Sequence, residues 1–239
     1  MALNGGWHGR LSKVTELPSW LQGPRGRWVE DTLAAWYEDP GPPTRWIQPA
    51  SDRPMPDPLR SFFLAGGIRD GIYRQNRVLA PKDLERLGDR LIFYEENQRS
   101  TIWATELVGS DPPVWMQDLV VTSPTLGPWL PENERLAGFL LQTLLHEMAI
   151  GARHGCLEVD LPDSEVEAIL GDLVPAPVGT WLWPSEGSAF FVAEDAVAFV
   201  MPQREQPERL RDVLLGARSA NRLDEAEHRL GRTLASRVG

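Results

Sequence analysis

With one cysteine in 239 residues, Cys156, the chain has no partner for an internal disulfide. That excludes the stapled framework of small secreted domains and fits a reducing cytoplasm. The thiol reads as a small packed side chain rather than a nucleophile. Lysine is nearly as scarce, since only Lys13 and Lys82 of the 24 basic residues are lysines. Almost every positive charge is therefore a planar guanidinium suited to two-point pairing with carboxylates. No apolar run reaches the length of a membrane-crossing helix, and the opening MALNGGWHGR has no apolar signal core. A cytoplasmic protein is expected.

Chemical signatures are missing too. His146 and Glu147 begin like the zinc motif His-Glu-x-x-His, but Ile150 stands where the second histidine belongs. His154, Cys156 and Asp160 give an irregular metal set at best, and independent surface or packed side chains are the favoured reading. Gly66, Gly67 and Gly71 do not follow the dinucleotide spacing, no phosphate-loop Gly-Lys-Ser/Thr occurs, and no serine sits in a nucleophile elbow. Glu95 and Glu96 are adjacent in a strand, so they point to opposite faces and form no catalytic pair. No catalytic residue, cofactor or metal is assigned, and the chain is expected not to be an enzyme.

What the chain does have is 42% apolar residues, ten tryptophans, a formal charge of −10 and a pI near 4.9. The apolar share supports one large or two small domains with a substantial core. The charge argues against nucleic acid or an anionic membrane as the main partner. Most tryptophans are expected in the core, although Trp7, Trp20, Trp28, Trp36 and Trp46 fall in a Pro/Gly-rich opening where burial is harder to secure.

Along the chain, one helix is expected over residues 26–37, and a second from Pro58, with Pro in its first turn and Gly66-Gly67 as its stop. PKDLERL reads as a short helix ended by Gly88. Two β-like runs, RLIFYEEN and residues 100–107, flank Asn97-Gln98-Arg99 as a hairpin, with Leu91, Phe93 and Glu95 expected on one face and Ile92, Tyr94 and Glu96 on the other. Residues 114–117 follow as a third strand. Pro131 and Glu134 mark the expected start of an apolar helix through LAGFLLQTLLHEM, closed by Gly151. A charged helix over residues 163–170 precedes SAFFVAE and AVAFVMP, two strands about an acidic turn. RDVLLGAR reads as a last strand, followed by an amphipathic helix capped by Ser219.

The order of these pieces resembles the SUKH superfamily, which includes yeast cell-wall-assembly regulators and many bacterial immunity proteins. PLRSFFLAGG, RLIFYEENQRSTIWATEL, SDPPVW and LAGFLLQTLLHEM carry the resemblance. WLWPSEGSAFFVAEDAVAFV and VLLGARSANRLDEAEHRL look like the closing strands and helix of longer members. The similarity spans roughly residues 45–235. It implies an α+β fold with a bent, mainly antiparallel sheet and helices packed on one side. Residues 1–45 are then a Pro/Gly/Trp-rich extension packing on a domain of residues 46–239. For function the resemblance implies binding, commonly neutralisation of a toxin.

Charge patterning bears on that reading. Residues 94–134 hold seven acids (Glu95, Glu96, Glu106, Asp111, Asp118, Glu132, Glu134) against Arg99 alone, and residues 154–203 hold nine acids with no Lys or Arg. An acidic, aromatic-bearing sheet face would suit a basic, nuclease-like toxin domain. Expected contacts are Glu95, Glu96, Asn97 and Gln98 around the hairpin tip, with Trp103, Asp111 and Trp115. A solvated acidic surface kept for solubility is the competing reading, and an adaptor binding a non-toxin cellular protein is the alternative function.

Overall fold

The structure, a computed structural model, describes residues 16–37, 54–68, 72–119, 127–203, 205–207, 209–235 and 237–238. Among the described residues, five α-helices and twelve strands make an α+β fold with two antiparallel sheets. The helices are α1 Trp28–Trp36, α2 Asp57–Leu64, α3 Leu136–Gly151, α4 Asp163–Leu170 and α5 Asn221–Leu230. The first sheet holds β1 Asn76–Val78, β2 Glu85–Leu87, β3 Arg90–Glu96, β4 Thr101–Glu106, β5 Pro113–Asp118 and β6 Leu130–Arg135. The second runs in the order β12 Arg237–Val238, β7 His154–Pro162, β11 Leu210–Ala217, β10 Ala196–Pro202, β9 Ala189–Ala193 and β8 Val174–Pro175.

Helix α3 lies between the sheets. It is apolar around nearly its whole circumference because Phe93, Tyr94, Trp103 and Val114 meet it from the first sheet and Phe190, Val197 and Phe199 from the second, all in one core. Alternation along β9 and β10 sends Phe190, Val192, Val197 and Phe199 to that core. It sends Phe191, Ala193, Ala198 and Val200 to another, beneath α4 and α5. Burial on both faces is why AVAFV is an unbroken apolar run. Trp20, Leu21 and Leu33 pack into the first core with Leu59, Phe62 and Phe63 of α2, so residues 16–37 are built into the fold. Trp7 and Trp46 lie outside the described residues.

Several boundaries differ from the sequence reading, each for a local reason. α2 ends as foreseen: Gly67 donates to the Phe62 carbonyl and Gly66, at φ 79°, to that of Phe63. PKDLERL is not helical; Glu85–Leu87 pairs with β3 instead, since seven residues opened by proline gain more from a waiting strand edge than from an isolated turn. A register shift between Ile92 and Tyr94 turns both Phe93 and Tyr94 inward, breaking the simple alternation. Residues 130–135 form β6 against β5, so α3 starts later than Pro131. α5 follows Ala220 with no side-chain cap, so Ser219 does not cap it. Strand β7 was not foreseen at all.

Candidate functional site

The expected contact residues scatter once placed. Glu95 is 2% exposed, accepts a hydrogen bond from Arg77 Nε at 2.5 Å and lies 3.3 Å from Arg99 Nε. Glu96 is also buried and closes the hairpin, accepting from the backbone N–H of Gln98 (2.9 Å) and Ser100 (3.2 Å) and from the Ser100 hydroxyl (3.0 Å). Trp103 is fully buried, packed at tilted and edge-on angles among Tyr94, Phe139, Trp181 and Trp183. These three are structural, not surface contacts, because their polar atoms are already satisfied and their surfaces covered. Asp111 caps α3 from outside the helix, its Oδ1 accepting from Ala137 N–H at 2.8 Å. It also lines a groove of about 350 Å³ with Arg25, Val29, Asp57 and Phe62.

Asn97 and Gln98 are exposed at the hairpin tip, and Trp115 is half-buried. Val114 and Met116 face the core, so Trp115 between them points away from α3, onto the outer face of the first sheet. There the Arg90 guanidinium carbon lies 4.3 Å from the Trp115 ring centroid and 4.8 Å from that of Trp129. Each such contact contributes about 0.5–2 kcal/mol. One buried guanidinium nitrogen of Arg90 has no hydrogen-bond partner among the described residues.

Register fixes the neighbours of this clamp. Glu106 lies across from Arg90 on β4, Leu87 across from it on β2, and Pro131 across from Trp115 on β6. Leu87 is 43% exposed. The small cluster on this face, with Ile92, Ile102 and Ala104 at its centre, contains strand and loop residues only, and no helical residue. The result is a sheet face open at one end and presenting two tryptophans, an arginine, a leucine and a carboxylate. Trp115 was named from the sequence; Arg90 and Trp129 were not, because only the strand register and a separate loop bring them to it.

The acidic run is largely consumed by the fold. Glu132 points inward and accepts from the Trp103 indole at 2.7 Å. Burial pushes its carboxyl up to about 7, offset in part by the Trp103 hydrogen bond and by the Leu182 amide. Among the described residues the Trp181 indole N–H finds no acceptor in bonding geometry. Glu134 pairs with Arg25 and accepts from Gly179 N–H at 2.6 Å, and Asp118 accepts from Thr101 at 3.1 Å. Glu106 alone of the seven has no such partner among the described residues. In the second run, Arg222 bridges Asp172 and Asp195 while Arg232 bridges Glu158 and Glu165. The acids therefore do not assemble into one face.

His146 sits 5.3–5.5 Å from the ring centroids of Trp181, Trp183 and Phe199, enclosed by aromatic surface. Glu147 beside it is fully buried and accepts from the backbone N–H groups of Arg74, Gln75 and Asn76 at 2.6–3.0 Å. Cys156 is buried under α4 and α5, and burial pushes its thiol up to about 12. Among the described residues no group of three His, Cys, Asp or Glu side chains is arranged to hold a metal ion. No described helix is long and apolar enough to cross a membrane. No family model matches this chain, and neither a curated protein nor a solved structure gives a significant match.

Proposed function

We propose that this chain is a non-catalytic protein-binding module that docks its partner on the outer face of the first sheet, around Trp115, Arg90 and Trp129. One observation carries the reading: a face with no helical cover among the described residues presents two tryptophans clamping an arginine, with Leu87 and Glu106 beside them. Tryptophan and arginine are the residue types that dominate binding energy at protein interfaces. The resemblance to the SUKH superfamily supports a cytoplasmic, immunity-type protein with a toxin domain as partner. Recognition then rests on the aromatic clamp, with Glu106, Asn97 and Gln98 as polar contacts, and not on Glu95, Glu96 or Trp103.

The mixed charge of the face favours keeping a second reading, an adaptor that binds a non-toxin cellular protein. Arg77, Arg90 and Arg99 offset Glu85, Glu95 and Glu106 there, so nothing restricts the partner to a strongly basic one. Capture from the native cytoplasm with wild type, Trp115→Glu and Val159→Glu tests both. Val159, 56% exposed on β7, belongs to the other sheet and serves as the rival apolar surface. A specific partner retained by wild type and Val159→Glu but lost by Trp115→Glu is expected. Loss through Val159→Glu with retention by Trp115→Glu overturns the assignment of the face. A toxin among the captured proteins selects the immunity reading, and a cellular protein the adaptor.

A further inference from the structure

The polar groups of the Trp115–Arg90–Trp129 clamp are donors left unused. Among the described residues neither indole N–H has an acceptor, and nothing accepts from the Arg90 guanidinium, whose contacts are the two rings. The unpartnered indole N–H groups of Trp20, Trp36 and Trp181 are closed off from solvent, whereas those of the half-buried Trp115 and Trp129 reach it. Elsewhere the same groups are put to use: Trp103 donates to Glu132, Trp28 to the Gly23 carbonyl, and Arg222 and Arg232 each bridge two carboxylates. Glu106, exposed across from Arg90, has no partner among the described residues either. Residues 120–126, VVTSPTL, lie outside the described residues and carry no charged side chain.

A ligand suited to this patch brings acceptors and few donors, because each donor it buried against the clamp would lose its water and find no acceptor. A proline-rich segment has that character: every proline keeps its carbonyl and has no N–H. In the polyproline II conformation its carbonyls make no internal hydrogen bonds, and its pyrrolidine rings lie flat on aromatic side chains. The spacing of the clamp suits it as well. The two ring centroids stand no farther apart than the sum of their 4.3 and 4.8 Å distances to Arg90, within about one polyproline turn of three residues at ~3.1 Å each. An acidic segment would also bring acceptors, but Glu106 and a net charge of −10 oppose it.

We infer that the partner meets this face with a proline-rich segment in the polyproline II conformation. Its carbonyls accept from the Trp115 and Trp129 indoles and from Arg90, its rings pack on the indole faces, and a flanking Lys or Arg pairs with Glu106. The inference rests on the docking face proposed above and names the segment that face takes.

Nuclear magnetic resonance of the nitrogen-labelled full chain reads the indole N–H groups directly. The probes are an acetylated oligoproline ending in arginine and a Gly-Ser repeat of the same length and charge. The oligoproline is expected to shift the Trp115 and Trp129 signals, assigned from Trp115→Phe and Trp129→Phe, in a saturable titration, and the Gly-Ser peptide to shift neither. Each Phe variant keeps a flat ring and loses the donor, and is expected to weaken oligoproline binding about three- to tenfold, with thermal melting showing that the fold is kept. Glu106→Gln is expected to weaken the oligoproline ending in arginine and to leave one ending in glutamine unaffected. No saturable shift at millimolar peptide, equal response to the two probes, shifts confined to other indoles, or wild-type affinity in both Phe variants overturns the inference. If that happens while a captured partner is still lost through Trp115→Glu, the docking face stands and the proline-rich segment falls.

Discussion

Acidic side chains in this chain act first as structural ligands of the backbone and of arginine. Glu96 closes a hairpin, Asp111 caps α3 from another segment, and Glu147 gathers three backbone N–H groups. Glu132 has its own charge at risk, with a carboxyl raised from 4.5 to about 7 chiefly by burial. A carboxyl that holds its proton more tightly when folded favours the folded state at low pH. That contribution is complete below about 4.5 and is lost as pH rises through about 7. Denaturant unfolding across this range is expected to show stability falling with pH, and Glu132→Gln to flatten that slope while keeping an acceptor for the Trp103 indole. A slope of wild-type size in the variant contradicts the assignment. The sequence showed where these acids are but not what they hold, because Glu132 with Trp103, or Glu134 with Arg25, meet only through tertiary pairing.

At the scale of elements, the stretches with strong local signals are where sequence and structure agree. The Pro58 helix with its glycine stop, the Asn97-Gln98-Arg99 hairpin, and the β9–β10 pair all form as their patterns imply. β7 escaped because its pattern is inverted. Glu158 on this strand is buried against Arg232 and the Ala235 amide, while Leu157 and Val159 are exposed. Period-two reasoning fails when a buried charge is paired from a distant segment. The packing of β11 on α3 gives a direct test of the two-sheet arrangement. A Cβ on Gly216 would lie 2.5 Å from the Met148 carbonyl oxygen and 2.7 Å from that of Ala149, both backbone atoms that cannot swing aside. Gly216→Ala is expected to cost about 2 kcal/mol or more in thermal or denaturant unfolding. A neutral result contradicts the close approach of strand and helix.

For the whole molecule, two antiparallel sheets enclose one apolar helix, and two further helices cover the second sheet's other side. Among the described residues that plan leaves the first sheet's outer face without helical cover, and the proposed docking face lies there. The α+β class and the antiparallel pairing were legible in the chain, whereas the division into two sheets was not, since the alternation of β9 and β10 says only that both faces are covered. The aromatic clamp was half legible: Trp115 was singled out, and Arg90 and Trp129 were not. Charge was the misleading guide, because a net of −10 describes the sum and not a face. Hydrogen–deuterium exchange of the chain with and without its captured partner tests the central claim most directly. The account expects added protection over residues 85–106, 113–118 and 127–131, with β7, β9, β10 and α5 unchanged. Protection confined to the second sheet or its helices, with the first sheet unaffected, would contradict it.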